Sequence, residues 1–176
     1  MAFIITDNHA PMPRKLVLLV HITTSTGWLG AVAAFLVLAI AGLNSPDQGT
    51  VRSVYLVMPM LTWSVIAPSA FAALFTGLAL SLGTKWGLTR YYWVLAKLLI
   101  NSLAIPILLL HTRIISEVAN AAAKGNLSPA ELRGPRVQLV VVAVAALLAL
   151  LAASALSVYK PRGMTPFNIS RRKIVD

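Results

Sequence analysis

Lys97, Asn101, Ala104, Leu108 and His111 follow one another at spacings of four, three, four and three, which sets them along one face of a helix. Three of them can do chemistry: the ammonium and the amide donate to anions, and the imidazole accepts a proton or ligates a metal. The stretch that carries them, residues 91–113, is predominantly apolar, so these groups would lie inside a membrane span. An ionisable group at the bilayer centre costs ~2.5–3.5 kcal/mol on insertion scales and signals a functional site by default. A structural role competes with that reading. Lys97 lies about 1.5 helical turns from Tyr92, at the expected membrane boundary, and its four-carbon stem can snorkel back to water.

The first long apolar run offers partners. His21, Thr24, Ser25 and Trp28 fall at offsets of three, four and seven and share a helix face. The first and third helices run in the same direction across the bilayer, so depth can be compared by counting residues at ~1.5 Å apiece. His21 reaches the depth of Lys97, and Ser25 that of Asn101; on the returning helices Thr76 and Ser154 come to the same level. His21, Ser25, Thr76, Lys97 and Asn101 are therefore expected to line one polar, positively biased pocket in the cytoplasmic half of the bundle. All five acidic residues (Asp7, Asp47, Glu117, Glu131 and Asp176) lie outside the expected spans. That disfavours cation transport and proton pumping, and it suits an anionic ligand, a lipid headgroup or a propionate.

Haem b is the sharpest chemical alternative, because four-helix membrane bundles hold it between axial ligands on facing helices. One bis-histidine site does not fit, since His21 and His111 are separated by roughly 20 Å along parallel helices. His111 with Met58 or Met60, near the external end of the second helix, makes a conceivable His/Met pair. The chain has no cysteine, which excludes disulfides, thiolate metal sites, iron–sulfur clusters and thiol catalysis. No metal site and no catalytic constellation is visible, so the reading is a non-enzymatic accessory or small-ligand-binding component, with a haem redox protein and a small transporter of an anionic or amphipathic solute as alternatives.

The elements that position these groups follow from composition. Of 176 residues, 58% are hydrophobic and 11% charged, with a mean hydropathy of +0.80; a soluble domain carries about 25% charged residues. The expectation is all-α: one integral membrane domain, a four-transmembrane-helix bundle with spans near residues 16–42, 54–83, 92–113 and 137–159 and a basic tail from 160 to 176. The first apolar run exceeds a signal-peptide core of ~7–15 residues, so a retained helix is expected. Ser45-Pro46-Asp47-Gln48 reads as a helix start with Ser45 as N-cap. Pro59 and Pro68 predict kinks in the second helix. Alanine-rich sequence extends the third helix as far as Gly125, and a capping box at residues 128–131 opens a turn closed by Gly134-Pro135. Thr23, Gly27 and Ala31, and Ser69, Ala73 and Gly77, form small-residue stripes that allow close helix packing, self-association or docking of a membrane partner subunit.

The net charge of +10 does not indicate nucleic acid, because the basic residues flank the apolar runs, where they orient helices and attract anionic headgroups. Nine Lys and Arg (Arg14, Lys15, Lys85, Arg90, Lys160, Arg162, Arg171, Arg172 and Lys173) fall on the side of the termini. Five (Arg52, Arg113, Lys124, Arg133 and Arg136) fall on the other, and Lys97 lies within a span. Both termini are therefore expected in the cytoplasm, with the protein in the cytoplasmic membrane.

The segments HITTSTGWLGAVAAF, LFTGLALSLGTKWGLTRYYWVLAKLLIN, LLLHTR and LSVYKPRGMT resemble a family of small bacterial four-helix integral membrane proteins of unknown function. The resemblance runs over most of the chain and is most specific in KPRGMT and in the TGL…LGTxWGL…YWVLAK stretch. It implies topology alone, with no activity, substrate or catalytic residue to carry over.

Overall fold

The computed structural model describes residues 12–82, 91–125, 129–159 and 161. Four helices account for nearly all of them: α1 (Met12–Asn44), α2 (Gln48–Leu82), α3 (Tyr92–Ala123) and α4 (Pro129–Tyr159). Each is long and apolar enough to cross a membrane. At ~1.5 Å per residue, 33, 35, 32 and 31 residues outrun a ~30 Å hydrocarbon core, so the helix ends project beyond it or tilt. The apolar character runs round the whole circumference. Val37, Phe75, Leu110 and Leu148 are 61–69% exposed, an arrangement that lipid tails solvate and water does not.

Inside the bundle, Trp28, Val32 and Phe35 of α1 meet Tyr55, Met58 and Ile66 of α2, with Ile115, Val118 and Leu139 closing the core from α3 and α4. The two stripes of small residues behave differently. Ala73 is buried and Gly77 backs onto His21, so the stripe on α2 lets α1 approach. On α1, Ala31 is buried, but Thr23 and Gly27 face outward, and a Cβ on Gly27 would meet nothing within 4 Å.

Local chemistry sets the breaks. Helix α2 starts two residues later than Ser45-Pro46 suggests, and its N-cap is Asp47. The Asp47 carboxylate accepts from the Thr50 N–H at 2.8 Å, the Thr50 hydroxyl at 2.7 Å and the Gly49 N–H at 3.4 Å, and a charged acceptor at a helix N-terminus outcompetes a serine hydroxyl. Ser45 is left to accept from the Asp47 N–H at 3.3 Å. The proline-induced distortion of α2 takes the form of a π-helical turn, Thr62–Ile66. The Ala67 N–H bonds back to the Thr62 carbonyl, one residue further than in an α-helix. Pro68 has no N–H and its ring crowds the carbonyl of Ser64; widening the preceding turn relieves that crowding. Thr62, itself 1% exposed, donates its hydroxyl to the Met58 carbonyl at 2.8 Å.

Helix α3 continues past the apolar span, as its alanine-rich extension predicts, and stops where Gly125 adopts φ +72°, a left-handed conformation that glycine takes without Cβ strain. Arg52 donates to the Ala123 carbonyl at 3.2 Å, capping that end from α2. The turn expected to close at Gly134-Pro135 does not form: α4 runs through both residues. Pro135 forfeits only the bond to Glu131, in the first turn, and the following residues are anchored, with the Arg136 guanidinium 5.3 Å from the centre of the Tyr55 ring and Leu139 fully buried. Ser128, the expected cap, and Gly83 to Arg90 lie outside the described residues.

Candidate functional site: a basic cavity between four helices

Over its first half α2 packs closely on α3, whereas beyond the π turn the two helices make fewer contacts. The space so released is a cavity of about 560 Å³, within the ~300–1,000 Å³ range of small-molecule sites. It lies at the end of the bundle where α1 and α3 begin and α2 and α4 finish. All four helices line it. Trp28, Ala73 and Leu150 form a buried apolar floor, and Arg14 stands at the rim.

The polar groups come from the faces that the spacing picks out. His21 and Ser25 enter from α1, and Lys97 and Asn101 from α3, all on the cavity lining. Thr76 does not line the cavity. It stands behind His21 and holds the imidazole, with Thr76 Oγ1 2.9 Å from His21 Nδ1. The proton in that bond can be assigned. The Thr76 hydroxyl is 2.5 Å from the Ala72 carbonyl, which can only accept, so Thr76 donates there and receives from His21. His21 therefore carries its proton on Nδ1. Nε2 is left as an unprotonated acceptor on a ring that borders the cavity, with no partner among the described residues. Gly77 makes room for the ring: a Cβ there would sit 3.1 Å from His21 Cε1.

Lys97 is half-buried and close enough to His21 for charge to act between them. No Asp or Glu lines the cavity among the described residues. Three serines add acceptors. Ser81, Ser154 and Ser157 border the cavity and donate to carbonyls of their own helices at 2.8–2.9 Å, which leaves each hydroxyl oxygen with acceptor capacity only. Sequence reasoning placed Ser154 at this depth but missed Ser81, Ser157 and Arg14. The signal available was the i, i+3 pair Ser154/Ser157 in an otherwise featureless helix.

The groups considered for haem sit elsewhere. His111 is buried, and its Nε2 has no hydrogen-bond partner among the described residues; it follows Lys97 by 14 residues, roughly 21 Å along α3. Met58 is 1% exposed in the core, whereas Met60 is 70% exposed and points away from it. None of the three borders the cavity. Among the described residues, no group of three or more His, Asp or Glu gathers where a metal could bind.

Residues 15–161 match the model of a family described as "Predicted integral membrane protein (DUF2269)". The chain belongs to this family. The match takes in all four helices and every residue of the cavity named above except Arg14, in agreement with the resemblance in sequence. No curated protein and no solved structure matches the chain.

Proposed function

We propose that this multi-pass membrane protein is a non-enzymatic binding component that holds a small anionic amphiphile in the cavity between its four helices. The observation that carries this reading is the lining itself: Lys97, Asn101, His21 and Ser25 converge on an apolar-floored space to which no described residue contributes a carboxylate. A cation buried in low dielectric attracts an anion far more strongly than it does at a surface, and the apolar walls suit a hydrocarbon tail. The excess of Lys and Arg on the side of the termini supports a cavity in the cytoplasmic half of the cytoplasmic membrane. The outward stripe of Thr23 and Gly27 is free to meet a second copy or a partner subunit.

The test is to extract the small molecules retained by protein purified in a mild detergent. An acidic amphiphile at near-stoichiometric amount in the wild type, and depleted in Lys97→Met, is the expected result. Equal retention in both proteins would remove Lys97 from the site. Haem b remains a second reading because the Nε2 of His111 is buried without a partner among the described residues, beside a core that holds Met58; Met60 does not fit. Absorbance of the purified protein decides it, a Soret band shifted in His111→Ala being the positive result.

A further inference from the structure

The fixed tautomer of His21 restricts the ligand further. Lys97 and Asn101 can both donate to an anionic oxygen, but His21 presents only a lone pair at Nε2, because Nδ1–H is committed to Thr76. A simple carboxylate or sulfate would set its own lone pairs against that nitrogen. A buried acceptor left without a donor loses the hydrogen bonds it made in water, so the site discriminates between heads of equal charge. The hydroxyls of Ser81, Ser154 and Ser157 on the lining repeat the pattern, each donating to its own helix and keeping only acceptor capacity. Lys97 and Asn101 thus bring donors to the lining, and His21 and the three serines bring acceptors.

We infer that the cavity recognises an amphiphile whose head carries an anionic oxygen next to a hydroxyl, as in a 2-hydroxy acyl chain or a lysolipid, with Lys97 and Asn101 on the anion and His21 Nε2 accepting from the hydroxyl. Thr76 is a positioning residue in this scheme, and Gly77 keeps the ring in its pose. The inference rests on the anionic-amphiphile reading and adds the requirement for a donor.

The experiment compares dodecanoate with 2-hydroxydodecanoate, below their micellar concentrations at pH 8, by titration calorimetry on the full chain in detergent. One additional hydrogen bond to a buried acceptor corresponds to about tenfold in affinity. Tighter binding of the hydroxy acid by that factor, falling to within about twofold in His21→Phe and in Thr76→Val, supports the inference. Equal affinities in the wild type overturn it while leaving the anionic site standing; binding of neither overturns both. 2-Hydroxybutanoate separates the sources: if it matches the long acid, the head comes from a water-soluble hydroxy acid, and if it fails to bind, from a membrane amphiphile. A readout independent of the variants is the ¹⁵N spectrum of the histidines. A neutral His21 protonated on Nδ1 is expected, and protonation on Nε2 would refute the assignment.

Discussion

At the scale of single residues, two glycines report on two different interfaces. Gly42 faces Tyr55, where a Cβ would lie 2.7 Å from Cζ. The tyrosine is 1% exposed and lies under Arg136, so it cannot swing away. Gly42→Ala is therefore predicted to destabilise the protein by about 1–3 kcal/mol, the cost of overpacking, seen as a lowered Tm. Gly77→Ala behaves otherwise. Alanine favours a helix over glycine by about 0.8–1 kcal/mol, and a 3.1 Å approach to His21 Cε1 needs the ring to move only a few tenths of an ångström. The expected outcome is an unchanged or raised Tm together with weaker binding of an anionic amphiphile, because the ring shifts off Thr76. Weaker binding accompanied by a large fall in Tm would point to a packing role instead. The inward direction of His21, Ser25, Lys97 and Asn101 was legible from spacing, since polar side chains in a membrane helix avoid lipid. Which nitrogen of His21 carries the proton was not, because that depends on a hydroxyl 55 positions away and on the carbonyl to which that hydroxyl donates.

At the scale of the elements, the start of α2 carries a titration. The Thr50 hydroxyl, then the backbone N–H groups of Thr50 and Gly49, hold the Asp47 carboxyl below its usual range. A carboxyl whose folded pKa is depressed contributes stability above its unfolded value, near ~3.9, and loses it as pH falls through the folded value. Protection from hydrogen exchange at the first turn of α2, measured against the intrinsic rate at each pH, should therefore fall below about pH 4, but not in Asp47→Asn, which keeps a capping oxygen without a titrating group. An equal loss of protection in both proteins would place the effect elsewhere. The sequence places this helix correctly but not its cap, because Ser45 and Asp47 are both good caps and only the chain's path chooses between them. The π turn was equally hidden: two prolines predict a distortion, but whether a helix kinks or widens is settled by its neighbours. At Gly134-Pro135, breaker residues were overruled by tertiary anchoring of Arg136 and Leu139.

At the scale of the whole molecule, the fold was almost fully legible. Four apolar runs separated by short polar segments leave little choice in a bilayer, where every backbone group must be satisfied within its own helix, and family membership over residues 15–161 agrees. The side of the membrane rests on the distribution of charge. Reporter fusions at the C-terminus are predicted to be active only in the cytoplasm, and an exclusively external signal would reverse the topology and put the cavity in the outer half. The cavity arises from global arrangement: α2 and α3 pack together at one end and part at the other, and the parted ends hold the basic and hydroxyl side chains.

The most direct measurement of anion recognition in that cavity is thermal stabilisation by two amphiphiles of equal chain length and opposite charge, dodecanoate and dodecyltrimethylammonium, on wild type and Lys97→Met. A charge-assisted hydrogen bond contributes about 1.5–3 kcal/mol. Dodecanoate should therefore raise the Tm of the wild type, and lose that effect in Lys97→Met with affinity down by about 10–100-fold, while the ammonium compound stabilises neither. Equal stabilisation by both compounds, or an undiminished effect of dodecanoate in Lys97→Met, would contradict an anion site at Lys97.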